Sequence, residues 1–108
     1  MIIKNLEITR GDDVSFCLAL QDFEPNTLSA AYFSVKEKID DNNYIIQKAL
    51  NSGITINSDN DIQVTIAAAD TDSIELGTYY YDLQVTINST KQTILKGKFN
   101  VTYDITRM

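Results

Sequence analysis

Leu76-Gly77-Thr78-Tyr79-Tyr80-Tyr81-Asp82-Leu83-Gln84-Val85-Thr86-Ile87 decides the fold class of this chain. A glycine turn feeds a long alternating segment, so Tyr79, Tyr81, Leu83, Val85 and Ile87 share one face and Tyr80 takes the other. That is the pattern of a central strand in a β-sandwich, entered through a sharp corner. Tyr79 stands where sandwich domains of the immunoglobulin type place a corner tyrosine, its hydroxyl bonding to backbone just upstream. The competing reading is an aromatic platform for sugars made by Tyr79, Tyr80 and Tyr81. Alternation splits the three and leaves Tyr80 alone outside, which favours the corner.

Seven further segments alternate around this one. They cover residues 2–9, 14–21, 30–39, 44–50, 54–56, 61–67 and 93–103, and the strand quoted above runs over residues 79–87. Val14, Phe16, Leu18 and Leu20 form one inward set; Ala31, Phe33 and Val35 form another. Ile62, Val64 and Ile66 make a third, and Leu95, Phe99, Val101 and Tyr103 a fourth. The turns carry suitable chemistry: Arg10-Gly11-Asp12-Asp13, a Pro25-containing loop over residues 22–27, Asp40-Asp41-Asn42-Asn43 and Asn88-Ser89-Thr90-Lys91. Between residues 68 and 77 the pattern changes to one short helical turn. There Asp72 and Glu75 have capping-box spacing and Gly77 stands at the C-terminal stop. The segment over residues 44–50 is mixed in character and is expected at a sheet edge.

The expected fold class is therefore all-β: an immunoglobulin-like two-sheet antiparallel β-sandwich with one short helical turn between strands. Its 108 residues suit a single domain, 1–108, with one core. Apolar residues make up 44%, enough to build that core without a staple, and the lone Cys17 forms no intrachain disulfide. The parity of Cys17 opposes the Phe16 face, which suggests a quiet, partly covered thiol rather than a nucleophile.

Charge and composition narrow the function. A net charge of −6 without a Lys/Arg cluster opposes binding to nucleic acid or to an anionic membrane. No membrane-length apolar run and no signal-peptide h-region is seen. With no histidine in the chain, the commonest general base is missing. No catalytic residue, metal ligand or cofactor is assigned. Asp59, Asp61, Asp70 and Asp72 are read as turn and cap residues, because their spacing lacks the later glycine and glutamate of a calcium loop.

The order of four stretches adds a resemblance. They are Ile8-Thr9-Arg10-Gly11-Asp12-Asp13-Val14-Ser15-Phe16, Leu28-Ser29-Ala30-Ala31-Tyr32-Phe33-Ser34-Val35-Lys36, Ala67-Ala68-Ala69-Asp70-Thr71 leading to Leu76-Gly77-Thr78-Tyr79-Tyr80-Tyr81-Asp82-Leu83-Gln84-Val85, and Thr93-Ile94-Leu95-Lys96-Gly97-Lys98-Phe99-Asn100-Val101 with Asp104-Ile105-Thr106-Arg107. Together they resemble the immunoglobulin-like domain of phage and prophage structural proteins of Gram-positive bacteria. The amino-terminal domain of the lactococcal-phage upper baseplate protein is one example. The resemblance implies a tail or baseplate component that carries no chemistry. In baseplate proteins further chain holds the receptor-binding parts, whereas this sequence stops after its last strand, so a small accessory virion component is the expectation.

The functional expectation is a non-enzymatic phage or prophage structural protein that docks to other virion or tail proteins, with self-association a further option. It would reside in the virion, or in the bacterial cytoplasm during assembly. Tyr32, Tyr44 and Tyr80 are the candidate partner contacts, and the segment over residues 44–50 is the candidate docking edge. The plain alternative is that these tyrosines are ordinary sheet-face residues. A different function, a carbohydrate-binding module for a bacterial surface glycan, is kept beside the first; the absence of tryptophan weighs against it.

Overall fold

A computed structural model describes residues 2–19, 28–40, 42–56, 61–87 and 89–103. Its elements, in chain order, are β1 (Ile2–Ile3), β2 (Leu6–Thr9), β3 (Val14–Ala19), β4 (Leu28–Lys36), β5 (Ile46–Leu50), β6 (Gly53–Ile56), β7 (Asp61–Ile66), α1 (Ala68–Thr71), β8 (Gly77–Ile87) and β9 (Thr90–Thr102). The period-two pattern explains the strands. Along β8, every odd-numbered residue from Tyr79 to Ile87 is buried and every even-numbered one is half-buried.

Backbone hydrogen bonds order the strands β1–β9–β8–β4–β5–β6–β7–β3, with β2 also paired to β9. In that order β4 and β3 stand four places apart, yet the rings of Phe33 and Phe16 meet edge to face at 5.7 Å. The ladder has therefore folded over on itself. The fold line is the tight turn between β5 and β6, where Ala49 and Ser52 exchange backbone bonds and the Asn51 N–H donates to the Ile54 carbonyl at 2.7 Å. Gly53 holds φ at +98° there, and a Cβ on it would meet Lys48 Cδ at 2.6 Å.

The result is an immunoglobulin-like β-sandwich. One layer is β9–β8–β4–β5 with β1 and β2 added in parallel to β9; the other is β6–β7–β3. Phe33, Val35, Ile54, Ile62, Val64, Ile66, Leu83, Val85 and Phe99 are all sealed from solvent between the layers. The rings of Phe33, Tyr81 and Phe99 meet one another at its centre, and Phe16 joins them through Phe33.

Several expectations are corrected. The segment at residues 44–50 is not an edge: β5 pairs with β4 and, through Ala49 and Leu50, with β6. Two short strands replace a single first strand, because the chain steps at Lys4–Asn5 over Gly97. A Cβ at Gly97 would lie 2.0 Å from the Lys4 carbonyl oxygen, so only glycine admits that crossing. The third strand ends at Lys36, not at residue 39, and Ile39 is exposed.

The helical turn is capped by other residues than Asp72 and Glu75. The Ala67 N–H donates to Asp70 Oδ2 at 2.7 Å and the Ala68 N–H to Asp13 Oδ1 at 2.7 Å. Asp72 sits at the C-terminal end of α1, and Gly77 opens β8 rather than stopping a helix. Tyr103 is exposed rather than inward. In β9 a bulge after Leu83 lets Ile94 and Leu95 both go inside. The hairpin ladder closes at Ile87↔Thr90, tighter than the expected loop. Leu20, Asp59 and the Pro25 loop lie outside the described residues.

Candidate functional site

The outer face of β9–β8–β4–β5 is built in cross-strand rows. In the first, Lys36 of β4 faces Tyr80 of β8, which faces Lys98 of β9. In the second, Gln47, Ser34, Asp82 and Lys96 follow one another across β5, β4, β8 and β9. In the third, Ala49, Tyr32, Gln84 and Thr93 do the same. These residues face outward because their neighbours in sequence are the core.

The face is concave. A groove of about 630 Å³ runs over it, and Tyr32, Tyr44 and Tyr80 all line it. The structure thus brings together the three candidate contacts from the sequence. One wall carries Ile3 and Asn5, beside β9; the other carries Ile39 and Tyr44, from the connection between β4 and β5. Ile3 is 71% exposed and Ile39 74%, although both are fully aliphatic. The Lys36 ammonium lies 5.0 Å from the centre of the Tyr44 ring, a cation–π distance. The Gln47 amide donates to the Ser34 hydroxyl at 3.3 Å on the groove floor.

Asp82 is the acidic group of the floor. Partial burial pushes its carboxyl above the usual carboxylate range, and the opposing pull of Lys36 and Lys96 does not cancel that. Behind it, the Tyr81 hydroxyl donates to the Lys4 carbonyl at 2.5 Å. Burial pushes the Tyr81 phenol up to about 12.

Tyr79 is not part of the groove. Its hydroxyl donates to the Glu75 carbonyl at 2.7 Å, which is the corner bond read from the sequence. Burial raises its phenol, and the charges of Glu37 and Glu75 add to the rise. Asp70 has a structural partner as well, an ion pair with Lys48 at 2.7 Å. Cys17 is an exposed thiol rather than a partly covered one. Among the described residues no group of three His, Cys, Asp or Glu is placed to hold a metal, and no helix is long and apolar enough to cross a membrane.

Lys36, Asp82, Lys96 and Lys98 were not singled out from the sequence. Lys36 and Asp82 share the parity of Tyr32 and Tyr80 on their own strands, and Lys96 and Lys98 oppose that of Leu95 and Phe99, but their assembly depends on register across three strands. Ile3 and Ile39 gave no signal, since isolated aliphatic residues near strand ends are ordinary.

No protein-family model matches this sequence, and among curated proteins none is similar to it. Among solved structures, the chain is similar to the extracellular domain of the voltage-gated sodium channel β4 subunit, described as a parallel homodimer with a role in cell–cell adhesion. That likeness covers 95% of this chain and 93% of the other, with a TM-score of 0.48 and 12% identity. It is also similar to the first Ig-like domain of human CD48, over 96% of this chain and 85% of that one, with a TM-score of 0.44 and 13% identity.

Proposed function

We propose that this chain is a non-enzymatic structural protein of a phage or prophage, an accessory tail or baseplate component that docks onto neighbouring proteins through the outer face of β9–β8–β4–β5. The observation that carries the docking part is the distribution of exposed apolar surface. Eight large hydrophobic residues are exposed among the described ones, and four of them, Ile3, Tyr32, Ile39 and Tyr44, line this one groove. Grouped apolar surface with a polar surround is the usual mark of an interaction site. The phage part is supported by the order of sequence stretches that resembles such domains.

Lysine cross-linking of purified particles, read by mass spectrometry, tests both parts. The expected result is the chain present in particles, with Lys96 or Lys98 joined to a tail or baseplate protein. Absence from particles ends the phage reading. Cross-links confined to Lys48 and Lys91, away from the groove, end the docking face.

The glycan reading has one observation in its favour, three tyrosines around a single groove. Against it, the Lys36 ammonium already covers the Tyr44 ring on which a sugar would stack. A glycan array with the purified chain separates the two readings; specific retention of a bacterial wall glycan, lost in Tyr80→Ala, would favour the second.

A further inference from the structure

We infer that the groove receives an acidic, extended segment of a different protein, with carboxylates set against Lys36, Lys96 and Lys98 and an apolar side chain between them. This rests on the docking reading and gives its partner a chemistry.

Charge provides the first argument. Lys36, Lys96 and Lys98 against Asp82 leave the groove at a formal +2, while the whole chain is −6. An acidic protein thus sets three lysines on the face that also carries four of the eight large hydrophobic residues exposed among the described ones. Among the described residues, none of these three ammonium groups has a carboxylate within 4.0 Å; the close ion pair is Lys48–Asp70, elsewhere. Asp82 attracts Lys36 and Lys96 but does not pair with either. The groove therefore has unspent positive potential, which favours and orients an anionic partner.

Geometry provides the second. Lys36 and Lys98 flank Tyr80 in one row, two strand spacings apart, or roughly 10 Å. A partner with carboxylates at about that separation meets both lysines while its intervening side chain rests on Tyr80. Ile3 and Ile39 line the two walls and offer aliphatic surface. Such aliphatic surface suits the apolar side chains of a polypeptide.

A second copy placed groove to groove is disfavoured. A two-fold contact sets each patch against itself. It would press Lys36, Lys96 and Lys98 against the same three lysines, with one Asp82 on each side to offset them.

The test uses the full chain, labelled with nitrogen-15, and three probes: a Glu- and Leu-containing decapeptide, the same peptide with Gln for Glu, and inorganic polyphosphate. The expected result is amide shifts on titrating the acidic peptide, centred on Lys36, Tyr80, Asp82 and Lys98. The Gln peptide should bind at least tenfold more weakly, as should Lys96→Glu/Lys98→Glu with the acidic peptide, equivalent to about 1.4 kcal/mol. Asp82→Asn should bind the acidic peptide more tightly. Equal binding of acidic and neutral peptides overturns the inference. So does polyphosphate matching the acidic peptide, or shifts that fall outside the groove. Particle association separates this failure from that of the docking reading. If Tyr32→Ala/Tyr80→Ala abolishes association and Lys96→Glu/Lys98→Glu leaves it intact, the docking face stands and the acidic partner falls. If neither pair alters association, both fall. Self-association that Lys96→Glu/Lys98→Glu weakens in light scattering would make the partner another copy of this chain and also overturn the inference.

Discussion

The Tyr81 hydroxyl is bonded to the Lys4 carbonyl across 77 positions of sequence, at 2.5 Å. One side chain thus ties the long strand β8 to the step between β1 and β2. The same Lys4 carbonyl passes over Gly97, where a Cβ would meet it at 2.0 Å. Tyr81 holds the crossing and Gly97 makes room for it.

Gly97→Ala tests that crossing. The obstacle is backbone, which cannot swing aside like a flexible side chain, so β1 must lift from β9. We expect a loss of about 1–3 kcal/mol, the usual range for overpacking, with the chain still folded. Urea unfolding followed by tyrosine fluorescence measures it. A loss below about 0.5 kcal/mol would mean that the chain accommodates the methyl and the crossing is not tight.

Alkali tests the Tyr81 phenol. Its folded pKa of about 12 lies above its ordinary value of 10.0, so folding favours the neutral form. The stabilisation is whole below pH 10 and is lost as pH rises from 10 through about 12. Tyr81→Phe should be less stable than the parent at pH 7 by about 1 kcal/mol, for the lost hydrogen bond. It should also lose less stability between pH 10 and 12. Tyr79 is shifted upward too, so some slope remains in the variant. Denaturant midpoints across this range decide it; identical slopes would show that Tyr81 does not titrate this way.

Asp82 gives the opposite lesson about a groove carboxylate. Its folded pKa is raised above 3.8 by burial, with Lys36 and Lys96 resisting the rise. Folding therefore favours its protonated form below pH 4 and works against its ionised form near neutrality. Asp82→Asn should be no less stable than the parent at pH 7, and the difference should vanish below pH 4. Thermal unfolding at both values checks this. A clear loss of stability at pH 7 would show that Asp82 is held by its lysines after all.

Thr71 closes the foot of the sandwich. It is wholly buried, and its Oγ1 accepts the Gly11 N–H at 2.9 Å, joining α1 to the turn between β2 and β3. Thr71→Val keeps the shape and removes the acceptor. We expect a cost of about 1–3 kcal/mol from the stranded N–H. Hydrogen exchange at Gly11 should quicken while amides of β8 stay protected; unchanged exchange at Gly11 would refute the bond.

Much of the fold was legible because alternation is a local signal. Ala31, Phe33 and Val35, then Ile62, Val64 and Ile66, then the odd residues of β8 from Tyr79 to Ile87, are buried as their parity requires. What failed depends on distant residues. The neighbours of β5 are set by a fold line its own residues do not encode. The cap of α1 comes partly from Asp13, 55 residues upstream, so spacing alone selected the wrong pair at Asp72 and Glu75. The bulge at Ile94 resets parity, which no periodic reading follows. For the groove, the outward direction of Tyr32 and Tyr80 was readable, but the row Lys36–Tyr80–Lys98 needed the register of three strands.

The fold line between β5 and β6 makes this sandwich a book with a bound spine. Its pages share continuous backbone bonding along one margin, and β3 and β1 form the loose margins opposite. Residues 10–13 stitch the lower corner, through Gly11 to Thr71 and Asp13 to Ala68. Any partial opening must therefore begin at the unstitched corner and swing about residues 49–54. Solvent then reaches Phe16 and Leu18, already half-wet, well before it reaches Ile54 beside the binding.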